Sequence, residues 1–321
     1  MISRRDYLTA ASLAGLALAV SPRALRAAGK GDDDSERALI TRRIPGTGEQ
    51  LPAVGLGSSA SFARIAGEGD TATVGALLEV LARTPGAVFD TAPSYGAAEK
   101  VAGDVARQRD FSRQLFWATK VNVAAGGRDG GRADPAAARA QLNRSIERAG
   151  KKAVDLIQVH NLGDVPTQLA LIEEYRAAGR IRYTGVTTTS PGQYAALEQI
   201  MRSHRLDFIG VDYAIDHRTM EERIFPLAQE RNIAVLVYQP FGRTRLWRKV
   251  DGHPLPDWAA AYDIATWGQF FLKFVLAHPA VTAVTPATSN VRNLVDNLGA
   301  ATGRLPDAQG LRRMIAYIDS L

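Results

Sequence analysis

The 321-residue chain contains no cysteine. That absence excludes a disulfide framework, a thiolate nucleophile and a cysteine-ligated zinc. It also leaves nothing to mispair in an oxidising compartment. Long hydrophobic runs are scarce: the apolar stretch from Ala10 to Val20 falls well short of the roughly 20 residues needed to span a bilayer. Charge of one sign is not concentrated either. The net charge is +6 and the pI about 9.6, but beyond the N-terminus the cations are interleaved with acids, as on a solvated surface. No nucleic-acid partner is expected from so dilute a basic bias. His204, His217, His253 and His278 have no spacing suited to a metal, so no metal site is expected. What remains is 46% hydrophobic and 22% charged, a globular composition long enough for one large domain or two small ones.

Arg4 and Arg5 precede the apolar stretch, and Ser21-Pro22-Arg23 follows it, the order of a signal peptide. Ser3-Arg4-Arg5-Asp6-Tyr7-Leu8 resembles the twin-arginine export motif, with Tyr7 where Phe is commoner. Residues 1–30 are therefore expected to be a signal peptide recognised by the twin-arginine export machinery, which places the mature protein in the periplasm or otherwise outside the cytoplasm. Cleavage sites stand open at Ala17-Leu18-Ala19 and around Ala27-Ala28. Stable membrane insertion is expected only if the signal stays uncleaved. The competing reading is an amphipathic N-terminal helix on a cytoplasmic protein. Residues 31–38, within a polar region that has nothing to bury, are assigned to a linker.

From residue 39 to 321 short apolar runs alternate with helical patterns. Leu39–Ile44 and Leu51–Gly57 flank Pro45-Gly46-Thr47-Gly48, which reads as a hairpin. Eight buried-strand candidates follow: Val54–Ser58, Val88–Thr91, Leu115–Lys120, Asp155–His160, Tyr183–Thr187, Phe208–Tyr213, Ala234–Tyr238 and Val281–Pro286. Helical patterns fill the gaps, among them Thr71–Arg83, Ala97–Gln108, Pro135–Ala149, Thr167–Ala178 and Gln193–Arg202. Such alternation means a parallel sheet with right-handed crossovers. The α/β class follows, as a (β/α)8 TIM barrel with an N-terminal β-hairpin. An open doubly wound sheet competes, but Gly55-Leu56-Gly57-Ser58-Ser59-Ala60 lacks the third glycine of a dinucleotide-binding turn.

Barrel active sites sit at the C-terminal ends of strands. Three strand candidates end on Asp90, Lys120 and His160, and Tyr95 lies just past Asp90. A strand-end Asp alone is more often a helix cap, and a lone His more often structural. A buried Lys is costlier and needs a partner, which Asp90 on the neighbouring strand supplies. Together the four suit carbonyl reduction, which needs a hydride on carbon and a proton on oxygen. Tyrosine, with a free pKa near 10, is a reluctant acid. A nearby Lys120 cation is expected to lower that value, while Asp90 holds the lysine and His160 orients the carbonyl oxygen. A metal-dependent hydrolase would need a cluster of His and carboxylates at strand ends, and only His160 and Asp90 qualify.

Phe89-Asp90-Thr91-Ala92-Pro93-Ser94-Tyr95-Gly96, Trp117-Ala118-Thr119-Lys120 and Val154-Asp155-Leu156-Ile157-Gln158-Val159-His160 resemble the signature, lysine strand and histidine strand of the aldo-keto reductase family. Gly179 to Val186 is similar to its fifth strand, Tyr238-Gln239-Pro240-Phe241-Gly242-Arg243 to its seventh-strand exit, and Thr285 to Asn290 with Asp296-Asn297 to its last strand and phosphate grip. The resemblance runs in order from about residue 39 to 302. It implies an NAD(P)H-dependent reductase of aldehydes or ketones, with Tyr95 as proton donor, Lys120 and Asp90 tuning it and His160 orienting a small-molecule carbonyl substrate. It implies NADP(H) in preference to NAD(H), held by Thr187, Thr188, Tyr238, Pro240, Gly242, Arg243, Thr288, Ser289, Asn290, Asp296 and Asn297.

Departures fall on the cofactor side. Thr187-Thr188-Thr189 replaces the usual Ser-Asn, Gly210 stands where a Gln is usual, and Ala287 and Asn293 occupy positions often basic. Arg292 and Arg243 are nearby substitutes. The alternative function is a cofactor-binding regulatory module of the same fold with little turnover. The long segment from Arg243 to Ala265 is where a barrel would carry a substrate-shaping loop or a cover for the cofactor.

Overall fold

A computed structural model describes residues 38–124 and 131–321. The signal segment and residues 31–37 of the linker lie outside the described residues. The hairpin expected at the start is present. Strands β1 (Thr41–Arg43) and β2 (Gln50–Pro52) pair antiparallel, Thr41 opposite Pro52 and Arg43 opposite Gln50. Ile44 and Leu51, each 1% exposed, pack with Val88, Phe116, Phe208 and Ala234. Those four stand at the N-terminal ends of barrel strands, so the hairpin plugs that end. Burying each aliphatic side chain contributes roughly 1.5–3 kcal/mol. Glu49 locks the plug in place by accepting from Arg182 and from the Tyr183 hydroxyl at 2.6 Å.

Eight parallel strands follow in sequence order. They are β3 (Leu56–Gly57), β4 (Val88–Asp90), β5 (Phe116–Val121), β6 (Val154–Val159), β7 (Ile181–Thr188), β8 (Phe208–Asp212), β9 (Ala234–Tyr238) and β10 (Val281–Val284). The sheet closes on itself where Gly55 N–H donates to Val284 O at 2.9 Å and Gly57 N–H to Pro286 O at 3.1 Å. All eight strand candidates are realised. The outermost two are shorter than expected. Pairing beyond β10 is interrupted at Pro286, which has no N–H, and survives only as the isolated Gly57–Ala287 bridge. The open-sheet alternative is thereby replaced by a nearly closed barrel whose free end is the C-terminal mouth.

The helices obey their terminal signals. Those covering the first half are α1 (Ser61–Gly67), α2 (Thr71–Ala82), α3 (Ala98–Gln108), α4 (Pro135–Ala149) and α5 (Val165–Ala177). Asp134 caps α4 by accepting from Ala136 N–H at 2.9 Å, and Gly150 ends it at φ 64°, where a Cβ would be strained. Helix α5 starts two residues earlier than expected, because Pro166 fits the first turn, where its missing N–H costs nothing.

The second half carries α6 (Tyr194–Ser203), α7 (Ile224–Glu230), α8 (Arg245–Lys249), α9 (Trp267–Ala277), α10 (Val291–Gly299) and α11 (Ala308–Ser320). The segment expected as a loop, Arg243 to Ala265, contains α8 and a 3-10 turn, Asp257–Tyr262. Helix α9 is buried on nearly every side and includes Lys273, whose ammonium donates to the carbonyls of Tyr262, Thr302 and Arg304 at 2.7, 2.8 and 3.0 Å. Three carbonyls thus satisfy the three protons of a cation that would otherwise be costly to bury. Among the described residues, no helix is long and apolar enough to cross a membrane.

Candidate active site

Strand register brings the predicted residues together. Asp90 on β4 pairs with Ala118 on β5, and Lys120 on β5 pairs with Gln158 on β6. Side chains two apart share a face, so Ala118 and Lys120 point inward, as do Gln158 and His160. At the mouth the fully buried Lys120 Nζ donates to Asp90 Oδ1 and Oδ2 at 2.9 and 2.8 Å and to Thr91 O at 2.9 Å. The ammonium lies 5.1 Å from the centre of the Tyr95 ring and 5.2 Å from that of Tyr238. The Tyr95 and His160 rings meet edge to face at 5.9 Å, and Ser94 Oγ stands 3.4 Å from His160 Nδ1. These four predicted residues line one cavity of about 360 Å³.

Burial opposes the charge on Lys120, yet Asp90 and Tyr95 outweigh it and hold its pKa above the ordinary value. The Asp90 carboxyl is pushed up by burial, with Lys120 and Tyr238 pulling against that. His160 is driven down to about 3, by burial first and by Lys120 second, so its ring is neutral at ordinary pH. The expectation that Lys120 lowers the Tyr95 pKa is corrected in its net sign. Burial raises the phenol, Lys120 lowers it, Asp90 raises it again, and the balance lies above the usual value. The physical reason is burial, which disfavours the phenolate by more than the Lys120 cation favours it.

The residues expected at the cofactor divide. Thr187, Tyr238, Pro240 and Arg243 line the cavity. Gly242, at φ 55°, lies with Arg243 on an adjoining hollow of about 350 Å³. Thr188 does not reach the cavity wall. Its hydroxyl donates to Gln193 Oε1 at 2.6 Å, and Thr189 takes the place on the wall. Thr288 Oγ1 accepts from Asn290 N–H at 3.1 Å, and Asn290 Oδ1 caps α10 through Arg292 N–H at 2.8 Å. Ser289 is half-buried beside that cap. Asp296 accepts from Thr266 Oγ1 at 2.8 Å and Gln269 Nε2 at 2.9 Å, and with the buried Asn297 it lies away from the cavity wall. These two are brought to the α9 contact, not to the mouth.

Sequence reasoning missed Gln158, Asn161 and Phe241. Gln158 Nε2 donates to the Tyr238 hydroxyl at 3.1 Å, and that hydroxyl donates to Asp90 Oδ1 at 3.1 Å. The signal was present: Gln158 precedes His160 by two on the same strand face. Asn161 lies on the cavity wall in a left-handed conformation, φ 53°, which Asn tolerates better than most side chains. Phe241 also lines the wall and packs on Trp247 at 4.9 Å.

A nearly closed parallel barrel carries an Asp-Lys ion pair, a tyrosine and a neutral histidine at its mouth, which defines an α/β barrel with a buried polar site at the C-terminal ends of its strands. Residues 53–319 match the family model described as the aldo/keto reductase family, and the chain belongs to it. It is similar to Aldo-keto reductase str7 from Strobilurus tenacellus, 25% identical over 254 residues, covering 69% of this chain and 74% of that protein. Similarity to Aldo-keto reductase yakc [NADP(+)] from Schizosaccharomyces pombe runs over 311 residues at 25% identity, 84% of this chain and 89% of that one. An aldo-keto reductase from Klebsiella pneumoniae, solved in complex with NADPH, shares the fold with a TM-score of 0.70 at 22% identity, covering 88% of this chain and 96% of that one.

Proposed function

We propose that the protein is an NADP(H)-dependent reductase of aldehydes or ketones in which Tyr95 supplies the proton. The observation that carries this reading is the convergence of the Lys120–Asp90 pair, Tyr95 and His160 on one cavity. The residues present fit a nicotinamide dinucleotide. The Thr285 hydroxyl is buried on the cavity wall with no partner, Arg243 lies on the wall, and the N-terminus of α10 favours phosphate. Thr187, Pro240, Gly242 and Arg243 would hold it, and when bound the nicotinamide supplies the hydride.

The chain's own residues supply the rest. His160, neutral at working pH, offers a ring N–H to the carbonyl oxygen and orients it. Tyr95 gives its proton to that oxygen, and the phenolate left behind faces Lys120. The NADP preference is supported by the NADP(+) in the name of the fission-yeast relative and by Arg243 at the mouth. Titration of purified protein with NADPH and NADH, read by tryptophan fluorescence, tests the cofactor. Quenching by NADPH at lower concentration than by NADH is expected, and no quenching by either sinks the reading.

We also propose a domain plan of signal peptide (1–30), linker (31–38) and barrel (39–321), with export by the twin-arginine route. The Arg4-Arg5 pair ahead of the apolar stretch supports it. That route carries folded proteins, so the cofactor would be loaded before export. Replacing both arginines with lysine is expected to retain the protein in the cytoplasm of a bacterial host. Equal periplasmic recovery of both forms would refute export by this route.

A further inference from the structure

Tyr238 does more at this site than line a wall. It lies on β9 paired with Asp212 of β8, and its ring reaches diagonally back over Gly210, which pairs with Leu236. A Cβ at Gly210 would stand 2.5 Å from Cε2 of Tyr238, 2.7 Å from its hydroxyl oxygen and 2.8 Å from Cζ. No real Cβ contact is that short, so the phenol sits where it does because Gly210 carries only hydrogen. From that seat the hydroxyl donates to Asp90 Oδ1 at 3.1 Å and accepts from Gln158 Nε2 at 3.1 Å. Burial, then Asp90, hold the Tyr238 pKa well above its ordinary value, so this hydroxyl remains a donor. Asp90 therefore serves two donors at once, the Lys120 ammonium and the Tyr238 phenol.

We infer that Tyr238 is a positioning residue of the proton-donor cluster: seated in the space left by Gly210, its hydroxyl holds the Asp90 carboxylate and so sets how far Lys120 is free to act on Tyr95. The inference rests on the reading of Tyr95 as the acid. The groups facing Tyr95 are Asp90 from β4, Lys120 from β5, His160 after β6 and Tyr238 from β9. His160 is neutral and the Arg243 cation also lines the cavity, but the charges that act on Tyr95 are Lys120 and Asp90. A carboxylate that accepts from Tyr238 has part of its charge satisfied. Without that bond it draws Lys120 more closely and presses its own charge on Tyr95. The phenol then becomes a weaker acid.

The test uses protein with its tyrosines carbon-13 labelled at Cζ, with the Tyr95 signal assigned by its loss in Tyr95→Phe. At pH 7 that signal is expected to move in the same direction in Tyr238→Phe and in Gly210→Ala, which evicts the ring. A Tyr95 signal unchanged in Tyr238→Phe overturns the proposal. In turnover, Tyr238→Phe is expected to lower kcat about tenfold with KM for the carbonyl unchanged, and to displace the alkaline limb of the pH profile upward by about one unit. A limb that stays in place or moves down overturns it as well. Tyr238→Phe removes one oxygen only, so it decides the matter even if Gly210→Ala fails to fold. The labelled-tyrosine measurement needs no turnover. A wild-type protein that reduces nothing would sink the reductase reading and leave this result separately readable.

Discussion

Tyr95 keeps its proton in the resting site, because burial outweighs the pull of Lys120. A group that donates only when charge develops on the substrate oxygen acts chiefly in the transition state. Tyr95→Phe is therefore expected to lower kcat roughly 10²–10⁴-fold while leaving fluorescence quenching by NADPH in place. A variant that still reduces carbonyls at the wild-type rate removes Tyr95 from the acid role. His160 supports a second expectation, with its sign fixed by linkage. Its pKa falls from 6.5 to about 3 on folding, so the unfolded chain binds a proton that the folded one refuses. Stability from this group is full above pH 6.5 and is lost as pH falls toward 3. Melting temperature should drop with acid in the wild type and drop less steeply in His160→Gln. Identical acid profiles would show that His160 does not titrate as the site's geometry requires.

At the scale of elements, the sequence revealed strands better than it revealed what strand neighbours do to each other. All eight strands were legible because each is a short apolar run bounded by turn residues. Asp90, Lys120 and His160 were legible because they end such runs, where an apolar strand has little reason to carry a charge. The partnership of Gly210 with Tyr238 was not, because those residues are not register partners and meet only where the Tyr238 ring folds diagonally over β8. The same holds for Thr188 and Asp296, whose positions matched a family pattern while their side chains went to Gln193 and to α9. Motif matching fixes sequence position, but side-chain direction is decided by the nearest unsatisfied partner. The hairpin plug makes this scale testable. Leu51 is 1% exposed inside the barrel floor, and Leu51→Ala is expected to cost about 2–5 kcal/mol of stability. Denaturant unfolding measures it, and a loss well under 1 kcal/mol would mean that the floor collapses around the gap or that the plug bears little load.

For the whole molecule, one end of the barrel is closed by side chains and the other is left for ligand. The closed end owes nothing to cofactor, since Ile44, Leu51 and the strand-start residues fill it. The open end concentrates what stability a bound ligand can add: an unpartnered Thr285 hydroxyl, the Arg243 cation and the Lys120–Asp90 pair all face it. A ligand that binds only the folded state stabilises by RT ln(1 + [L]/Kd), about 2.7 kcal/mol at a hundred times Kd. NADPH at that excess should raise the melting temperature by several degrees for a chain of this size, and NADH at the same concentration should raise it less. The comparison separates the two halves of the fold. Leu51→Ala should lower the starting melting temperature without changing the NADPH increment, because the floor does not touch the mouth. Arg243→Ala should shrink the increment with little change in the starting value. If Leu51→Ala abolished the increment, floor and mouth would be one cooperative unit, and the division of labour between the closed and open ends would have to be given up.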